Sequence, residues 1–262
     1  MKPPAIIATL LEMAAVNNGF DRELTPPEGW RAFASTQAPL RIWLRIDEES
    51  RCLVALSQLQ VHRALSDHRE AMPAIHPEGA VGVRAVTDFS ALHTLLRRAF
   101  QLSRTLPDEL LHVFQQQVAG LPRTTEVERL VIQRIGQDLF RAGLMDYWEG
   151  RCAVTGLAVP ELLRASHIKP WADCAADAER LDVFNGLLLA VHLDAAFDRG
   201  FVTFPDDGAL VIGPELGPME REILGLTADA RLAEVAEAHW PYLRWHREQV
   251  FRRPAMNPSG GG

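Results

Sequence analysis

The spacing of apolar side chains predicts several helices in the first part of the chain. Residues 5–16 repeat apolar positions at the helical period and stop at the sequence Asn-Asn-Gly, a typical helix end. Ser57 begins a short helical segment that runs to residue 65. Ser90 has the position of an N-cap for a helix through Phe100.

A β-hairpin is predicted between the first two of these helices. Residues 40–46 alternate in the manner of a strand with one buried face. One set of alternate residues is apolar and is predicted to face the core: Ile42, Leu44 and Ile46. The other set is predicted to face outward: Arg41, Trp43 and Arg45. After a polar turn, residues 52–56 return as the second strand, and a further short strand is predicted at 81–86.

A break at residues 120–122, Gly-Leu-Pro, predicts a domain boundary. Pro107 opens a helix through Val118 that ends at this break. Beyond it, Thr125 and Glu128 form a capping-box pattern for a long helix to about residue 148. The apolar positions of that helix follow the 3.6-residue period: Val127, Leu130, Val131, Ile135, Leu139 and Leu144.

The composition, with 47% hydrophobic and 23% charged residues, is that of a folded soluble protein. No apolar run approaches the roughly 20 residues needed to span a bilayer, and the N-terminus lacks the features of a signal peptide. The three cysteines, Cys52, Cys152 and Cys174, include no C-x-x-C pair. This pattern argues against a secreted disulfide scaffold and a zinc ribbon, and it predicts a cytoplasmic protein without a membrane partner.

The charge pattern provides one argument against nucleic-acid binding and one argument for it. The net charge is −7, whereas a protein that binds nucleic acid without sequence choice is usually basic. Lys2 and Lys169 are the only lysines among the 27 basic residues, and the arginines that make up the rest suit phosphates and base edges. An arginine-rich composition is explained equally well by a GC-rich genome.

The densest group of chemically useful side chains lies in residues 151–204. His167 precedes Ile-Lys-Pro, and Asn185 follows eighteen residues later, directly before a glycine. The group closes with three residues in a seven-residue span: His192, Asp194 and Asp198. The pattern predicts a strand and turn over 152–156, a strand over 163–168, a second strand from residue 185 and a helix from about residue 193.

This ordered set resembles the HNH endonuclease family, whose ββα-metal fold cuts phosphodiester bonds. The resemblance implies an α+β protein in which a mixed α/β domain over 1–122, of unknown fold and a candidate for target recognition, precedes an HNH nuclease domain. That domain is predicted over 123–262, with its ββα-metal core at 151–204 and flanking helices. The residues at the motif positions are each expected to have a separate role in the cleavage reaction.

The resemblance makes His167 the general base that takes a proton from the attacking water, a task suited to an imidazole with a pKa near working pH. Asn185 is expected to orient the site by bonding the backbone across the loop. Taken singly, the histidine can be a surface residue at a strand end. The asparagine can be part of an ordinary Asn-Gly turn.

The helix of the motif is expected to supply a divalent metal site. The predicted ligands are His192, Asp194 and Asp198, and which of the first two lies closer to the metal stays open. Mg²⁺ is the expected ion, with Mn²⁺ or another transition ion as an alternative, since a histidine ligand widens the choice. Many family members have Asp before the base, but this chain has Ser166, a poorer ligand for a hard cation.

Two basic residues are expected to bind the phosphates of the substrate: Lys169, beside the base, and Arg199, directly after the last predicted ligand. Near the C-terminus, residues 229–238 have helical spacing and residues 239–248 add Trp, Arg and His side chains. This cluster either contacts DNA or packs as a helix over the nuclease domain, and packing is favoured.

The sequence therefore predicts a metal-dependent endonuclease of restriction or defence type that acts on double-stranded DNA. One alternative is an effector that degrades DNA without sequence choice. The other is a DNA-binding protein with a decayed HNH fold, which Ser166 and the acidic net charge favour. A double-strand cut needs two active sites, which makes a homodimer a candidate assembly.

Overall fold

The computed structural model describes residues 5–25, 27, 29–65, 69–70, 77–122, 124–227 and 229–252. The chain divides into two compact units, Met1–Glu109 and Leu110–Gly262. This division lies closer to the N-terminus than the predicted boundary after residue 122. The assignment of recognition to the first part and cleavage to the second stays a prediction.

In its described residues, the N-terminal unit has a six-stranded antiparallel sheet, and three helices lie entirely within it. In chain order, its helices are α1 (Ala5–Asn17), α2 (Leu59–Ala64) and α3 (Phe89–Thr105). Its strands are β1 (Arg22–Leu24), β2 (Arg31–Ala34), β3 (Arg41–Ile46), β4 (Cys52–Leu56), β5 (Arg69–Glu70) and β6 (Gly82–Val86). The strands lie in the order β1-β2-β3-β4-β6-β5. The predicted hairpin is confirmed, with Leu44 of β3 opposite Val54 of β4.

Trp43 was predicted to face outward, and this prediction is wrong. Its side chain is only 6% exposed, although it lies on the face opposite Ile42 and Leu44. It belongs to a buried cluster on that second face: Trp30, Ala32, Trp43, Leu53, Ala55, Val83 and Ala85. Alternation within β3 shows which residues share a face. It does not show that neighbouring strands make the second face apolar as well.

Two predicted helix starts are also corrected. The Ser57 hydroxyl accepts a hydrogen bond from the backbone N–H of Arg41, at 2.9 Å, and α2 begins two residues later, at Leu59. Asp88 rather than Ser90 caps α3, because its carboxylate accepts the N–H of Ala91 at 2.9 Å. A short polar side chain caps whichever backbone N–H the local geometry offers it.

Two long helices follow, α4 (Pro107–Val118) and α5 (Glu126–Tyr147). The predicted capping box of α5 is confirmed, since Thr125 and Glu128 bond each other's backbone N–H groups. Of the predicted apolar face of α5, only Leu144 is buried, and Ile135 and Leu139 are half-buried. Three residues of the first half are exposed: Val127, Leu130 and Val131.

The predicted hairpin and helix of the motif form the centre of the C-terminal unit. Strand β7 (Leu163–His167) runs antiparallel to β8 (Gly186–Ala190), with His167 opposite Gly186. Between the strands lies the one-turn helix α6 (Asp177–Arg180), and α7 (Val191–Asp198) follows β8 directly. The strands and α-helices that follow are β9 (Val202–Thr203), β10 (Val211–Ile212), α8 (Pro218–Ile223) and α9 (Trp240–Gln249). The predicted α+β class is confirmed.

Two expectations for this unit fail. Residues 152–155 form a turn instead of a strand, with one ladder-like bond from the Ala153 N–H to the Leu188 carbonyl. Residues 229–238, predicted as helical, contain no α-helix among those described. Their backbone bonds go to other segments, as when Leu232 N–H donates to Gly208 O and Ala233 N–H to Ala153 O. These partners lie far away in sequence, so helical spacing alone does not reveal them.

Helix α9 packs against α7 and β9, and packing is the favoured of the two interpretations of residues 239–248. Leu243 and His246 are buried on its inner face. The chain after α9 passes close to the end of α7, where Gly200 has a positive φ of 73°. None of the helices in the described part of the chain is long and apolar enough to cross a membrane.

Replacement of Gly200 by alanine is expected to destabilise the C-terminal unit more than the same change at Gly156. Both glycines have positive φ, 73° and 70°, which costs an L-residue about 1–2 kcal/mol. A Cβ at position 200 would also collide with the carbonyl oxygen of Val250, whereas a Cβ at position 156 meets open space. The collision is expected to add about 1–3 kcal/mol. Urea unfolding of the two variants measures the difference, and equal losses would contradict the contact.

Candidate active site

The two faces of β7 place adjacent residues in different surroundings. Successive strand residues point to opposite faces. Ser166 contacts Asp198 of α7, whereas the next residue, His167, packs against Phe140 of α5. The hairpin therefore lies between a carboxylate-bearing helix and an aromatic residue that covers the histidine.

His167 is held in one orientation by three neighbours. Its ring stacks on Phe140 with centroids 3.7 Å apart and planes inclined by 15°, and Trp171 meets it edge-on at 5.7 Å. Its Nε2 lies 2.9 Å from the carbonyl oxygen of Arg180. Because a carbonyl only accepts, Nε2 must carry the proton, and Nδ1 holds the lone pair. Burial lowers the pKa of His167 to about 4, so the imidazole is neutral at physiological pH.

Asn185 fastens the loop that joins the two strands. Its buried amide oxygen accepts the N–H of Lys169 at 2.8 Å. Its amide nitrogen donates to the carbonyl oxygens of Lys169, at 3.1 Å, and Glu179, at 3.0 Å, and approaches the Cys174 sulfur at 3.4 Å. The main-chain oxygen of Asn185 accepts the N–H of Ile168 at 2.9 Å. One side chain thus fixes the residues after His167 and the segment that leads to Arg180.

Charged side chains also stabilise the loop between β7 and β8. The Lys169 ammonium lies 2.9 Å from the Glu179 carboxylate, and this pairing raises the pKa of Lys169. The Arg180 guanidinium donates to Asp177 at 2.8 Å and to the carbonyl oxygen of Cys174 at 3.0 Å. Lys169, predicted to bind phosphate, is therefore engaged within the loop in this structure.

Asp194 and Asp198 lie one turn apart on α7, on the side of Ser166. The Ser166 hydroxyl donates to Asp198 Oδ1 at 3.0 Å. Partial burial raises the pKa of both carboxyl groups, and the charge of Asp198 raises that of Asp194 further. Hydrogen bonding to Ser166 opposes the shift for both. Two carboxylates in such surroundings favour a cation beside them.

The structure does not bring His192 to these two carboxylates. His192 is exposed in the first turn of α7, and two residues along a helix correspond to a rotation of about 200°. Within the described ranges, no group of three or more His, Cys, Asp or Glu side chains is arranged to hold a metal ion. Of the three predicted ligands, Asp194 and Asp198 share one face of α7, and their assignment as metal ligands stays a prediction.

A cleft of about 320 Å³ connects the two sides of the hairpin. It is lined by Ala165, Ser166, His167, Ile168, Pro170, Trp171, Asp198, His246 and Val250. His246 was not assigned to the site from the sequence, where it was only part of the Trp-, Arg- and His-containing cluster at 239–248. Arg199, predicted to bind phosphate, is exposed directly after α7.

Comparison with known proteins identifies this unit. The model of the HNH endonuclease family matches residues 152–205, which contain the hairpin, Asn185 and α7. Residues 152–205 are an HNH endonuclease domain. The resemblance to this family stated from the sequence is therefore confirmed for these residues.

Other comparisons add little to the HNH assignment. No curated protein matches the chain. Among solved structures, a modification-dependent TagI restriction endonuclease is similar at 22% identity and a TM-score of 0.30. The match covers 44% of this chain and 39% of that one, so the chain spans well under half of that protein.

The environment of the HNH histidine leads to a pH prediction. In an NMR titration of the ring signals, His167 is expected to stay neutral until the pH approaches 4, since its pKa is lowered to about 4 by burial. Phe140→Leu is expected to raise this pKa towards the ordinary 6.5, because it opens the stacked face. The stabilising effect of the neutral ring is fully present above pH 6.5 and is lost as the pH falls towards 4.

His246 provides the control in the same spectra. Burial also lowers its pKa to about 4, but it stacks on Phe197 instead of Phe140. Its titration should be the same in wild type and Phe140→Leu. The signal of His167 is assigned by its absence in His167→Gln. A wild-type His167 that titrates near 6.5 would contradict the buried geometry.

Proposed function

We propose that the protein is a metal-dependent DNA endonuclease in which His167 is the general base. The observation that carries the proposal is the cleft that His167 shares with Asp198, on an HNH hairpin. The Arg180 carbonyl fixes the protonated nitrogen of the ring, so the basic Nδ1 remains to accept a proton. This geometry supports hydrolysis by an activated water.

In the proposed reaction, His167 Nδ1 takes a proton from water while the water oxygen forms a bond to phosphorus. The bond between phosphorus and the 3′-oxygen breaks, and the leaving oxygen takes a proton from solvent water, which leaves a 5′-phosphate and a 3′-hydroxyl. Asn185 acts indirectly, since its amide holds the loop that carries the Arg180 carbonyl. Arg199, which is exposed directly after Asp198, is proposed to bind a phosphate of the substrate.

The carboxylates of Asp194 and Asp198 would hold the divalent ion, with the Ser166 hydroxyl beside them. Their raised pKa values fit this role, because an adjacent cation would stabilise both in the charged form. A bound ion would stabilise negative charge on the phosphoryl group and the leaving oxygen. Mg²⁺ is the proposed ion because the ligands are oxygens, and Mn²⁺ is expected to substitute for it.

We further propose a restriction-type or defence role, in which residues 1–122 select the target on double-stranded DNA. The support is architectural, since the N-terminal sheet forms a compact unit separate from the nuclease unit. A homodimer would supply the two active sites that a double-strand cut requires. A cytoplasmic location would place the enzyme with its substrate.

The first test is incubation of the full chain with modified and unmodified plasmid and phage DNA in Mg²⁺, Mn²⁺ or EDTA. Metal-dependent cleavage is expected, with a loss of at least about 100-fold in His167→Ala, because general-base catalysis contributes that much. Met219→Ala, which shortens a side chain of α8 that is 69% exposed, is the control and should cleave as the wild type does.

The products distinguish the proposed roles. Discrete fragments support target selection, and a preference for modified or unmodified DNA identifies what is selected. A smear on every substrate supports an effector without sequence choice. Equal cleavage by wild type and His167→Ala would contradict the assigned base. No cleavage of any substrate, together with no metal binding, would favour a decayed nuclease fold.

The metal site has a separate test in calorimetric titration with Mn²⁺. Asp194→Asn and Asp198→Asn are each expected to weaken binding by at least about 10-fold, since each removes a charged oxygen ligand. His192→Ala is expected to leave the affinity unchanged, because the helix directs this residue away from the carboxylates. Loss of binding in His192→Ala with retention in Asp194→Asn would reverse the assignment.

A further inference from the structure

The last turn of α7 is held by a side chain from α9. His246 stacks on the ring of Phe197 with centroids 3.8 Å apart and planes inclined by 3°. Its Nε2 lies 3.0 Å from the carbonyl oxygen of Phe197, and its Nδ1 lies 2.9 Å from Thr203 Oγ1. Because the carbonyl only accepts, Nε2 donates to it, and the threonine hydroxyl donates to Nδ1. Both ring nitrogens are thus used within the fold.

These contacts converge on the residue before Asp198. Phe197 is fully buried, and its carbonyl oxygen also accepts the N–H of Gly200 at the helix end. The chain after α9 adds two bonds to the same region, from the Arg252 N–H to the Gly200 oxygen and from Arg252 Nε to the Arg199 oxygen. The main chain on both sides of Asp198 is therefore fixed by residues 246–252.

His246 is also part of the cleft wall, together with His167 and Asp198. Both of its polar atoms are bonded to protein groups, so it has no lone pair or proton to offer the substrate. His246 lines the cleft, but its hydrogen bonds go to groups of the fold, which indicates a supporting role. The site on α7 would otherwise depend on a short eight-residue helix with an exposed end.

We propose that His246 is a positioning residue for the nuclease reaction, which fixes the end of α7 and so the direction of the Asp198 carboxylate in the cleft. The inference rests on the proposed function, because Asp198 is assigned there as a metal ligand. Residues that orient metal ligands through hydrogen bonds typically alter metal affinity by about 10- to 100-fold when they are replaced. His246 acts on Asp198 through its hydrogen bond to the main-chain carbonyl of Phe197, the residue before Asp198.

The test compares three variants of the full chain. His246→Phe keeps an aromatic ring against Phe197 but removes the donor to the carbonyl. His246→Gln keeps an amide donor and loses the stacking. Leu243→Val trims a fully buried side chain one turn earlier on α9 and leaves both bonds of His246 in place. Each variant is measured by calorimetric titration with Mn²⁺, by the Mn²⁺ concentration for half-maximal cleavage, and by thermal unfolding.

His246→Phe is expected to raise the Kd for Mn²⁺ by about 10-fold and to raise the metal requirement of cleavage in parallel. His246→Gln is expected to restore part of the affinity through its donor. Leu243→Val is expected to lower the unfolding temperature without a change in Kd. This split between stability and metal affinity separates positioning from general packing.

Two results would overturn the inference. One is a folded His246→Phe with wild-type Kd and wild-type metal requirement. The other is an equal rise in Kd for Leu243→Val, since packing of α9 alone would then explain the effect. Failure of the proposed function is recognised separately, because the wild-type chain would then neither bind Mn²⁺ nor cleave DNA.

Discussion

The buried amide of Asn185 is the constraint on which the site depends. Its oxygen and nitrogen bond the backbone on both sides of the β7–β8 connection, which contains little regular structure of its own. Leaving such a buried group without partners would cost about 1–3 kcal/mol, so the loop is held to the one path that satisfies it. That path brings the Arg180 carbonyl to His167 and thereby selects the tautomer of the proposed base.

Two adjacent residues of the hairpin, Ser166 and His167, lie in different electrostatic environments. On one face, Phe140 covers His167, and burial lowers the pKa of His167, so that the ring is neutral at physiological pH. On the other face, Ser166 meets carboxyl groups whose pKa values are raised, a setting that a cation would stabilise. Strand alternation accounts for this difference, since successive residues of β7 point to opposite faces.

Positioning comes from outside the motif as well as from within it. Phe140 belongs to α5 and His246 to α9, and each stacks on an aromatic residue of the hairpin or of α7. Gly200 allows the chain after α9 to approach the helix end, because any side chain there would meet Val250. The short ββα unit therefore depends on its flanking helices for a defined geometry.

The sequence alone determined the elements and chemistry that depend on local patterns. The hairpin of β3 and β4, the capping box of α5 and the HNH motif are read from neighbouring residues, and the structure and comparisons confirm them. Tertiary structure decided what depends on distant partners. Trp43 is buried by neighbouring strands, the predicted helix at 229–238 is replaced by long-range backbone bonds, and His246 is brought to the cleft by a helix far along the chain. Periodicity fixes which side chains share a face, but the element that covers that face lies elsewhere in the sequence.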